Sequence, residues 1–372
     1  MKNEDNIYFN TLTNKIMRIY TLILALALFL ASCGNSGSES KSGKSGSARV
    51  DLTAAGATFP LPFYNVAIKN YTANTNQSIS YGGVGSGGGI RSLTDQVVDF
   101  GATDAFLDEE KEAEMPAAIV HIPTCIGAVV IAYNLPGVDE LKLTNENLQD
   151  IFLGTITRWN DAQIAASNPG LTLPETPITV VHRSDGSGTT YIFSDFMSKI
   201  SEKWDSQVGK GKSLLWPVGI GAKGNPGVAG TIKATEGAVG YIGSEFAFAQ
   251  KIPVAQVQNS AGNFILPTLE SISAAAKAEI PEDTKVMLTC SADPGAYPIS
   301  GFTWIILYKE QNYNKRTLEQ ARETVRFLSW LIDKDAQALA QQVNYAPLPQ
   351  NTAELAKKIL GSVVYDGQRL LD

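Results

Sequence analysis

The alternation of strand-like and helix-like segments is the feature that most constrains how this chain can fold. Short apolar runs predict strands at residues 79–81, 97–100, 126–133, 178–182, 239–242 and 303–308. Apolar side chains at helical spacing predict amphipathic helices at residues 63–71, 90–97, 145–152, 191–200 and 318–332. Strands and helices that alternate in this way indicate an α/β architecture with largely parallel sheets.

Size and charge narrow the class of protein further. The chain has 372 residues, of which 44% are hydrophobic, and this is enough for two domains that each bury a core. Its net charge of −7 argues against a nucleic-acid-binding protein, because such proteins need a basic face. Any site for an anion must therefore be built locally, without help from the field of the whole molecule.

The N-terminal segment has the pattern of a secretory signal. Two basic residues precede a short apolar run, which ends in Leu30-Ala31-Ser32-Cys33. This order predicts a signal peptide at residues 1–32, and the run is too short to span a membrane comfortably. Because Cys follows Leu-Ala-Ser, the segment resembles the bacterial lipobox, and we expect Cys33 to be lipidated and to become the mature N-terminus. The alternatives are a plain signal peptide with an incidental Cys33, and a true start at Met17.

The segment after the signal is compositionally unlike the rest of the chain. Residues 33–49 are almost all Ser, Gly and Lys, and they predict a flexible tether that cannot bury a core. The globular part begins near Val50. Within it, Cys125 and Cys290 either pair in an oxidising compartment or remain two separate buried thiols, and their spacing leaves both possibilities open. No Cys or His spacing predicts a metal site.

The densest group of anion-binding residue types is Arg183-Ser184-Asp185-Gly186-Ser187-Gly188-Thr189-Thr190. It directly precedes a predicted helix, so its glycines lie where free N–H groups and the positive end of the helix dipole attract anions. Ser187 and Thr189 add hydroxyl donors. Arg183 can fork onto an oxyanion, and Asp185 can hold that guanidinium in place. The alternative is a capped surface turn made of ordinary loop residues.

Three more segments combine glycines with hydroxyl or carboxyl groups beside a predicted helix or strand. They are Ala55-Gly56-Ala57-Thr58-Phe59-Pro60, Gly82-Gly83-Val84-Gly85-Ser86-Gly87-Gly88-Gly89 and Val98-Asp99-Phe100-Gly101-Ala102-Thr103-Asp104-Ala105. We interpret the run of glycines as a loop that wraps a ligand closely. Since ligands of α/β sheets lie beyond strand ends, the four segments together predict one buried site in a cleft.

Enzyme functions find less support in the sequence. The glycine run matches G-x-G-x-x-G with Asp104 about twenty residues later, which leaves a dinucleotide site open as an alternative. Gly209-Lys210-Gly211-Lys212-Ser213 ends like a Walker A loop, but Ser206 stands where that motif requires Gly. We find no nucleophile elbow and no recognisable acid/base pair, and we predict no catalytic residue, metal or cofactor.

Taken together, the four segments resemble the signatures of the phosphate-binding proteins of bacterial high-affinity phosphate ABC transporters. Further stretches agree, in chain order: Trp216-Pro217-Val218-Gly219-Ile220-Gly221, Lys223-Gly224-Asn225, Gly237-Ala238-Val239-Gly240-Tyr241 and Tyr297-Pro298-Ile299-Ser300. The resemblance implies the type II periplasmic-binding-protein fold, in which two α/β lobes are joined by a hinge around a ligand cleft. It implies a discontinuous lobe I, residues 50–127 and 301–372, and a lobe II of residues 128–300.

The resemblance also implies a site for inorganic phosphate. Its expected members are Thr58, Phe59, Ser86, Asp104, Arg183, Ser187, Gly188 and Thr189, with Asp185 as support. Asp104 would be a hydrogen-bond acceptor, which phosphate satisfies with the proton it carries near neutral pH and sulfate leaves unpaired.

The implied partners are inorganic phosphate, an ABC permease with its ATPase, and a membrane reached through the lipid anchor. The implied location is the periplasm or cell envelope, and we expect a monomer that binds no nucleic acid. The alternatives are a binding protein for sulfate or another tetrahedral oxyanion and, from another class, a phosphate-ester hydrolase.

Overall fold

The computed structural model describes residues 49–371. The predicted signal peptide at residues 1–32, the lipidation site Cys33 and nearly all of the predicted tether therefore lie outside the described residues. Within them, no helix combines the length and apolar character needed to cross a bilayer.

Helices and strands alternate through most of this region, as the sequence predicts. The strands are β1 (Asp51–Gly56), β2 (Ser78–Gly83), β3 (Phe100–Thr103), β4 (Ile119–Tyr133), β5 (Lys142–Leu143), β6 (Thr179–Arg183), β7 (Ile220–Ala222), β8 (Ala238–Gly243), β9 (Gln256–Gln258), β10 (Phe264–Ile265), β11 (Ser300–Tyr308), β12 (Val364–Tyr365) and β13 (Gln368–Arg369). The helices are α1 (Leu61–Thr75), α2 (Ser86–Thr94), α3 (Glu109–Ala113), α4 (Asn145–Phe152), α5 (Ala162–Ser167), α6 (Gly188–Ile200), α7 (Glu202–Gln207), α8 (Gly224–Ala234), α9 (Ser244–Gln250), α10 (Leu269–Ala275), α11 (Leu318–Leu331), α12 (Lys334–Gln342) and α13 (Gln350–Leu360).

The main sheet has eight strands in the order β2-β1-β3-β11-β4-β8-β6-β7. Its flanks are parallel, because β1 pairs with β2 and β3, and β6 pairs with β7 and β8. Its centre is antiparallel, because β11 runs against β3 and β4, and β4 runs against β8. The prediction of largely parallel sheets is therefore wrong for the centre, where a strand from late in the chain is inserted between two early ones.

Strand β4 joins the two halves of the sheet. It pairs with β11 from Ile119 to Ala128 and with β8 from Val129 to Tyr133. Gly127 is the register partner of Gly301. Only glycine fits at position 127, because the Phe59 ring occupies the adjacent space and an added Cβ would lie 2.5 Å from that ring. The predicted lobe boundaries fall at this glycine pair, and the division into residues 50–127 with 301–372 and residues 128–300 stays a prediction.

The glycine-rich segment differs from its prediction. Helix α2 begins at Ser86, so the glycines at 87–89 are helical and do not form a loop. They are needed for packing, because a Cβ on Gly89 would lie 2.4 Å from the Cα of Gly56 in β1. The helix lies so close to the strand that only glycine fits, which is why the motif resembles a dinucleotide fingerprint.

The segment after α2 also shifts. The helix predicted at residues 90–97 ends at Thr94, and the strand predicted at 97–100 is found at Phe100–Thr103. A turn with Gln96 at a φ of 55° occupies the positions between them.

The two cysteines are separate free thiols, with Cys125 buried and Cys290 half-buried, so the pairing left open by the sequence is not formed.

Candidate functional site

The N-terminus of α6 forms one wall of the site. Ser187 is its N-cap, and the Ser187 Oγ accepts a hydrogen bond of 3.0 Å from the Thr190 N–H. Ser187, Gly188 and Thr189 are all buried. A helix N-terminus presents unpaired N–H groups and positive potential, so this wall suits an anion.

The core fixes α6 against β6 and β8. The Phe193 ring of α6 stacks on the Tyr241 ring of β8 with centroids 4.4 Å apart. The Tyr241 hydroxyl accepts from the Arg183 N–H at 3.1 Å and lies 2.7 Å from the Thr190 Oγ1. The aromatic core therefore sets the distance between the end of β6 and the first turn of α6, where the predicted anion-binding residues lie.

Arg183 supplies the buried cation of the site, and its side chain is 1% exposed. Its Nε and Nη2 donate to the two Asp185 carboxylate oxygens at 2.8 and 2.6 Å, a bidentate geometry that fixes the guanidinium plane. Its Nη1 donates to the Thr189 Oγ1 at 3.3 Å. Burial opposes ionisation of Asp185, but the Arg183 hydrogen bonds and charge and the Gly224 N–H hold the Asp185 pKa below its ordinary value.

Ser86 and Asp104 meet the same helix N-terminus from the other side. The Gly188 N–H donates to the Ser86 Oγ at 3.0 Å, and the Asp104 N–H donates to it at 3.3 Å. The Thr303 hydroxyl donates to the Asp104 Oδ1 at 2.7 Å. Burial raises the pKa of Asp104 to about 7, although the Thr303 hydrogen bond, the Arg183 charge and the Ser86 hydrogen bond act to lower it.

Asn225 connects the Thr58 turn to α6. The Asn225 Nδ2 donates to the Thr58 Oγ1 and the Thr189 Oγ1, each at 3.0 Å, and the Asn225 N–H also donates to Thr58 at 3.1 Å. Phe59, beside Thr58, is fully buried, and its carbonyl accepts from the Tyr345 hydroxyl at 2.5 Å. The turn before α1 is thus held against the first turn of α6.

The structure brings the predicted site residues into one region between these elements. They are Thr58, Phe59, Ser86, Asp104, Arg183, Asp185, Ser187, Gly188 and Thr189. Sequence reasoning missed Asn225 and Thr303 as members of this network. The sequence does carry a signal for Asn225, because a glycine directly before it, Gly224, is typical of a turn at a helix start. In the structure Gly224 begins α8 with a φ of 67°. Among residues 49–371, no cluster of His, Cys, Asp or Glu could hold a metal ion.

A second buried carboxylate lies behind the network. Glu245 of α9 is 4% exposed, and its Oε2 has no hydrogen-bond partner within the described part of the chain. Burial raises the pKa of Glu245 to about 8, against the lowering by its own backbone N–H and by Ser244. Between the ordinary glutamate pKa of 4.5 and about 8, the folded protein therefore keeps a proton on Glu245 that the unfolded chain has released. The free energy of unfolding falls as pH rises through this range.

We expect Glu245→Gln to stabilise the protein at pH 9 by about 1–3 kcal/mol, because the amide needs no ionisation in a buried position. At pH 4, below the ordinary pKa, the gain should vanish. Denaturant unfolding at both pH values measures the difference, and Glu279→Gln on an exposed loop is the matched control. Equal stability changes at the two pH values would contradict the assignment of a raised pKa.

Comparisons with known proteins agree with this architecture. Residues 42–335 match the family model described as the PBP superfamily domain. The phosphate-binding protein PstS of Xylella fastidiosa is 38% identical over 307 residues, which cover 81% of this chain and 82% of that protein. PstS of Methanocaldococcus jannaschii is 36% identical over 368 residues, covering 91% and 94%.

Solved structures share the fold at low sequence identity. The high-affinity periplasmic phosphate-binding protein PfluDING, solved with bound phosphate, superposes with a TM-score of 0.65 at 22% identity, covering 83% of this chain and 93% of that one. The ancestral soluble variant of the human phosphate-binding protein gives a TM-score of 0.67 at 21% identity over the same shares.

The fold and the buried network between its elements define a solute-binding protein of the PBP superfamily. The predicted type II fold, two α/β lobes joined by a hinge around a ligand cleft, is confirmed. More narrowly, the chain belongs to the family of the PstS phosphate-binding proteins, a family of solute-binding proteins and not a class of enzymes.

Proposed function

We propose that this protein binds inorganic phosphate in the network around Asp104 and Arg183, and that no chemistry occurs on the ligand. The observation that carries the proposal is the convergence of hydroxyls, a helix N-terminus and one buried guanidinium on a carboxylate acceptor. The membership of the PstS family supports it independently.

The donor set suits an oxyanion that must also be released. A buried oxyanion needs its lost hydration replaced by fixed donors. Ser86, Ser187, Thr58 and Thr189 supply hydroxyls. The Thr189 and Phe59 N–H groups supply backbone donors, as does the Gly188 N–H, which donates to Ser86 in this structure, so little net positive charge is imported. Arg183 is already paired with Asp185, which keeps its attraction for the ligand moderate.

Asp104 provides the selectivity. A carboxylate that faces an oxyanion repels it unless the ligand donates a proton to it. Phosphate near neutral pH carries such a proton and sulfate does not, so sulfate would leave a buried acceptor unpaired at a cost of about 1–3 kcal/mol or more. A site built around a required hydrogen bond rejects the analogue that lacks it strongly.

The wider role follows from the family. We infer that the two lobes close on phosphate by a hinge motion and that the closed form delivers it to an ABC permease driven by an ATPase. Lipidation at Cys33 would anchor the protein in the periplasm or cell envelope, with residues 34–49 as tether, and we expect it to act as a monomer.

Calorimetric titration of the purified mature protein tests the proposal. We expect phosphate to bind with a one-to-one stoichiometry and sulfate to bind at least a thousandfold more weakly at pH 8. Equal affinity for both anions would favour a general oxyanion-binding protein. Turnover of a chromogenic phosphate ester by the same preparation would instead indicate a hydrolase.

A further inference from the structure

The loop Gly209-Lys210-Gly211-Lys212-Ser213 has no role in the network described so far, yet it lies against it. The Ser187 N–H, at the N-cap of α6, donates to the Lys212 carbonyl at 2.8 Å. The Ser213 Oγ lies 3.9 Å from the Cβ position of Gly186. The backbone of Lys212 is therefore fixed directly beside the residues that cap the anion-binding helix.

The Lys212 side chain turns back along that helix. Its Nζ lies 5.3 Å from the ring centroid of Tyr191 in the first turn of α6, within the range of a cation–π interaction. Lys212 is half-buried, and its ammonium makes no ion pair or hydrogen bond within residues 49–371. A half-buried ammonium without a charge partner is unusual, because desolvation of a charge is costly unless a counter-ion offsets it.

Burial lowers the pKa of Lys212 to about 8, although Asp108 and Asp104 act to raise it. The Lys212 charge in turn acts to lower the pKa of Asp104, so the two groups share one electrostatic environment. The charged or titratable groups that face Lys212 from the elements around it are Asp104, Asp108, Lys111, His121 and Tyr191.

Without Lys212, the charged side chains of the site carry no net positive charge. Arg183 is neutralised by Asp185 in a bidentate ion pair, and the Asp104 carboxylate adds a negative charge once it ionises. A dianionic ligand would enter a site with no free positive charge. Lys212 is a nearby, half-buried cation that pairs with no carboxylate within 4 Å in the described part of the chain.

We propose that Lys212 is a second cation of the anion site, held by Tyr191 and acting through space on the bound oxyanion to raise its affinity and its rate of entry. This inference rests on the proposed function, because it assigns Lys212 to the same phosphate site. Lys212 acts as a point charge and forms none of the hydrogen bonds that recognise the ligand.

Phosphate titration of four proteins tests the proposal: the wild type, Lys212→Met, Lys212→Arg and Lys210→Met. Lys210 is the matched control, because it lies two residues away in the same loop but pairs with Asp195. We expect Lys212→Met to raise the phosphate Kd about tenfold at low salt, with most of the change in the association rate constant. Lys212→Arg and Lys210→Met should stay within about threefold of the wild type.

Salt separates an electrostatic role from a packing role. The difference between wild type and Lys212→Met should shrink as ionic strength rises from 10 to 500 mM, since screening acts on charge and not on packing. If the thermal transition of Lys212→Met shows that it folds poorly, Lys212→Gln serves as a second neutral variant.

Three results would overturn the inference. One is an unchanged Kd for Lys212→Met, and another is a loss for Lys210→Met as large as that for Lys212→Met, which would indicate net charge alone. Both leave phosphate binding by the wild type intact. The third is a wild type that does not bind phosphate, which removes the proposed function and this inference with it.

Discussion

Replacement of Arg183 by Ala is expected to weaken phosphate binding by a factor of about 10²–10⁴. The guanidinium is almost fully buried and is the partner of Asp185, so its removal deletes the cation and leaves the partly buried Asp185 carboxylate without a counter-charge. Removing the protein's partner of a buried, hydrogen-bonded charge contact at a binding site costs about 2–5 kcal/mol of binding free energy, and each 1.4 kcal/mol is a factor of ten in affinity. Isothermal titration calorimetry measures the change directly.

Two companion variants make the Arg183 result specific. Arg183→Lys keeps the charge but loses the planar fork that holds Asp185 and Thr189, so we expect an intermediate loss. Arg326→Ala removes the same charge from an exposed helix face and should leave phosphate binding unchanged. If Arg183→Ala bound phosphate within tenfold of the wild type while folded, the guanidinium would have no place in the site.

Replacement of Asp104 by Asn is expected to reduce the preference for phosphate over sulfate by about 10²–10³. The amide can donate a hydrogen bond where the carboxylate only accepts, so sulfate no longer leaves a buried acceptor unpaired. The amide oxygen can still accept from Thr303, which preserves the local packing. Phosphate affinity should fall by less than the selectivity, and competition titrations with both anions give the ratio.

The same carboxyl predicts a pH dependence for the wild type. The Asp104 pKa is about 7 because of burial, so its neutral, donating form accumulates as pH falls below that value. Sulfate keeps its charge between pH 8 and pH 5.5, and its affinity should therefore rise over that range far more in the wild type than in Asp104→Asn, where only the protonation of Lys212 near pH 8 contributes. Asp108→Asn, four residues further on, should leave the anion preference unchanged. An unchanged selectivity in Asp104→Asn would refute the acceptor role.

Much of the fold was predictable because local patterns agree with the tertiary structure. The helix predicted at residues 145–152 is found with these bounds, since Thr144 caps it and forms a capping box with Asn147. The strand predicted at 239–242 lies within β8. By contrast, β1 was missed, because Leu52 is its only large apolar residue and its other two buried positions, Ala54 and Gly56, give a weak apolar signal.

The features that were predicted wrongly share a physical cause, because each is determined by contacts between residues far apart in the chain. Helix α2 begins inside a run of glycines, although glycine has a low helix propensity. Glycine is required there because β1 lies too close for any side chain, and this contact cannot be predicted from the local sequence. The antiparallel centre of the sheet depends on where β11 inserts, and the chain gives no local sign of that position.

The candidate site was easier to predict than the sheet topology. Glycine and hydroxyl residues at helix starts signal their chemistry locally, so Ser187 and Thr189 could be singled out from sequence. Thr303 could not, because it reaches the site only through its hydrogen bond to Asp104, which is distant in the chain.

The late position of β11 has a consequence for how the molecule comes into being during synthesis. Until residues Ser300–Tyr308 are available, β3 and β4 have no strand to fill the space between them. The backbone N–H and C=O groups along their edges then stay unpaired and open to other chains, as in any product truncated before this point, and such edges are templates for aggregation. Because this pairing joins residues far apart in sequence, we expect the native state to form slowly and only once Ser300–Tyr308 is available to the sheet.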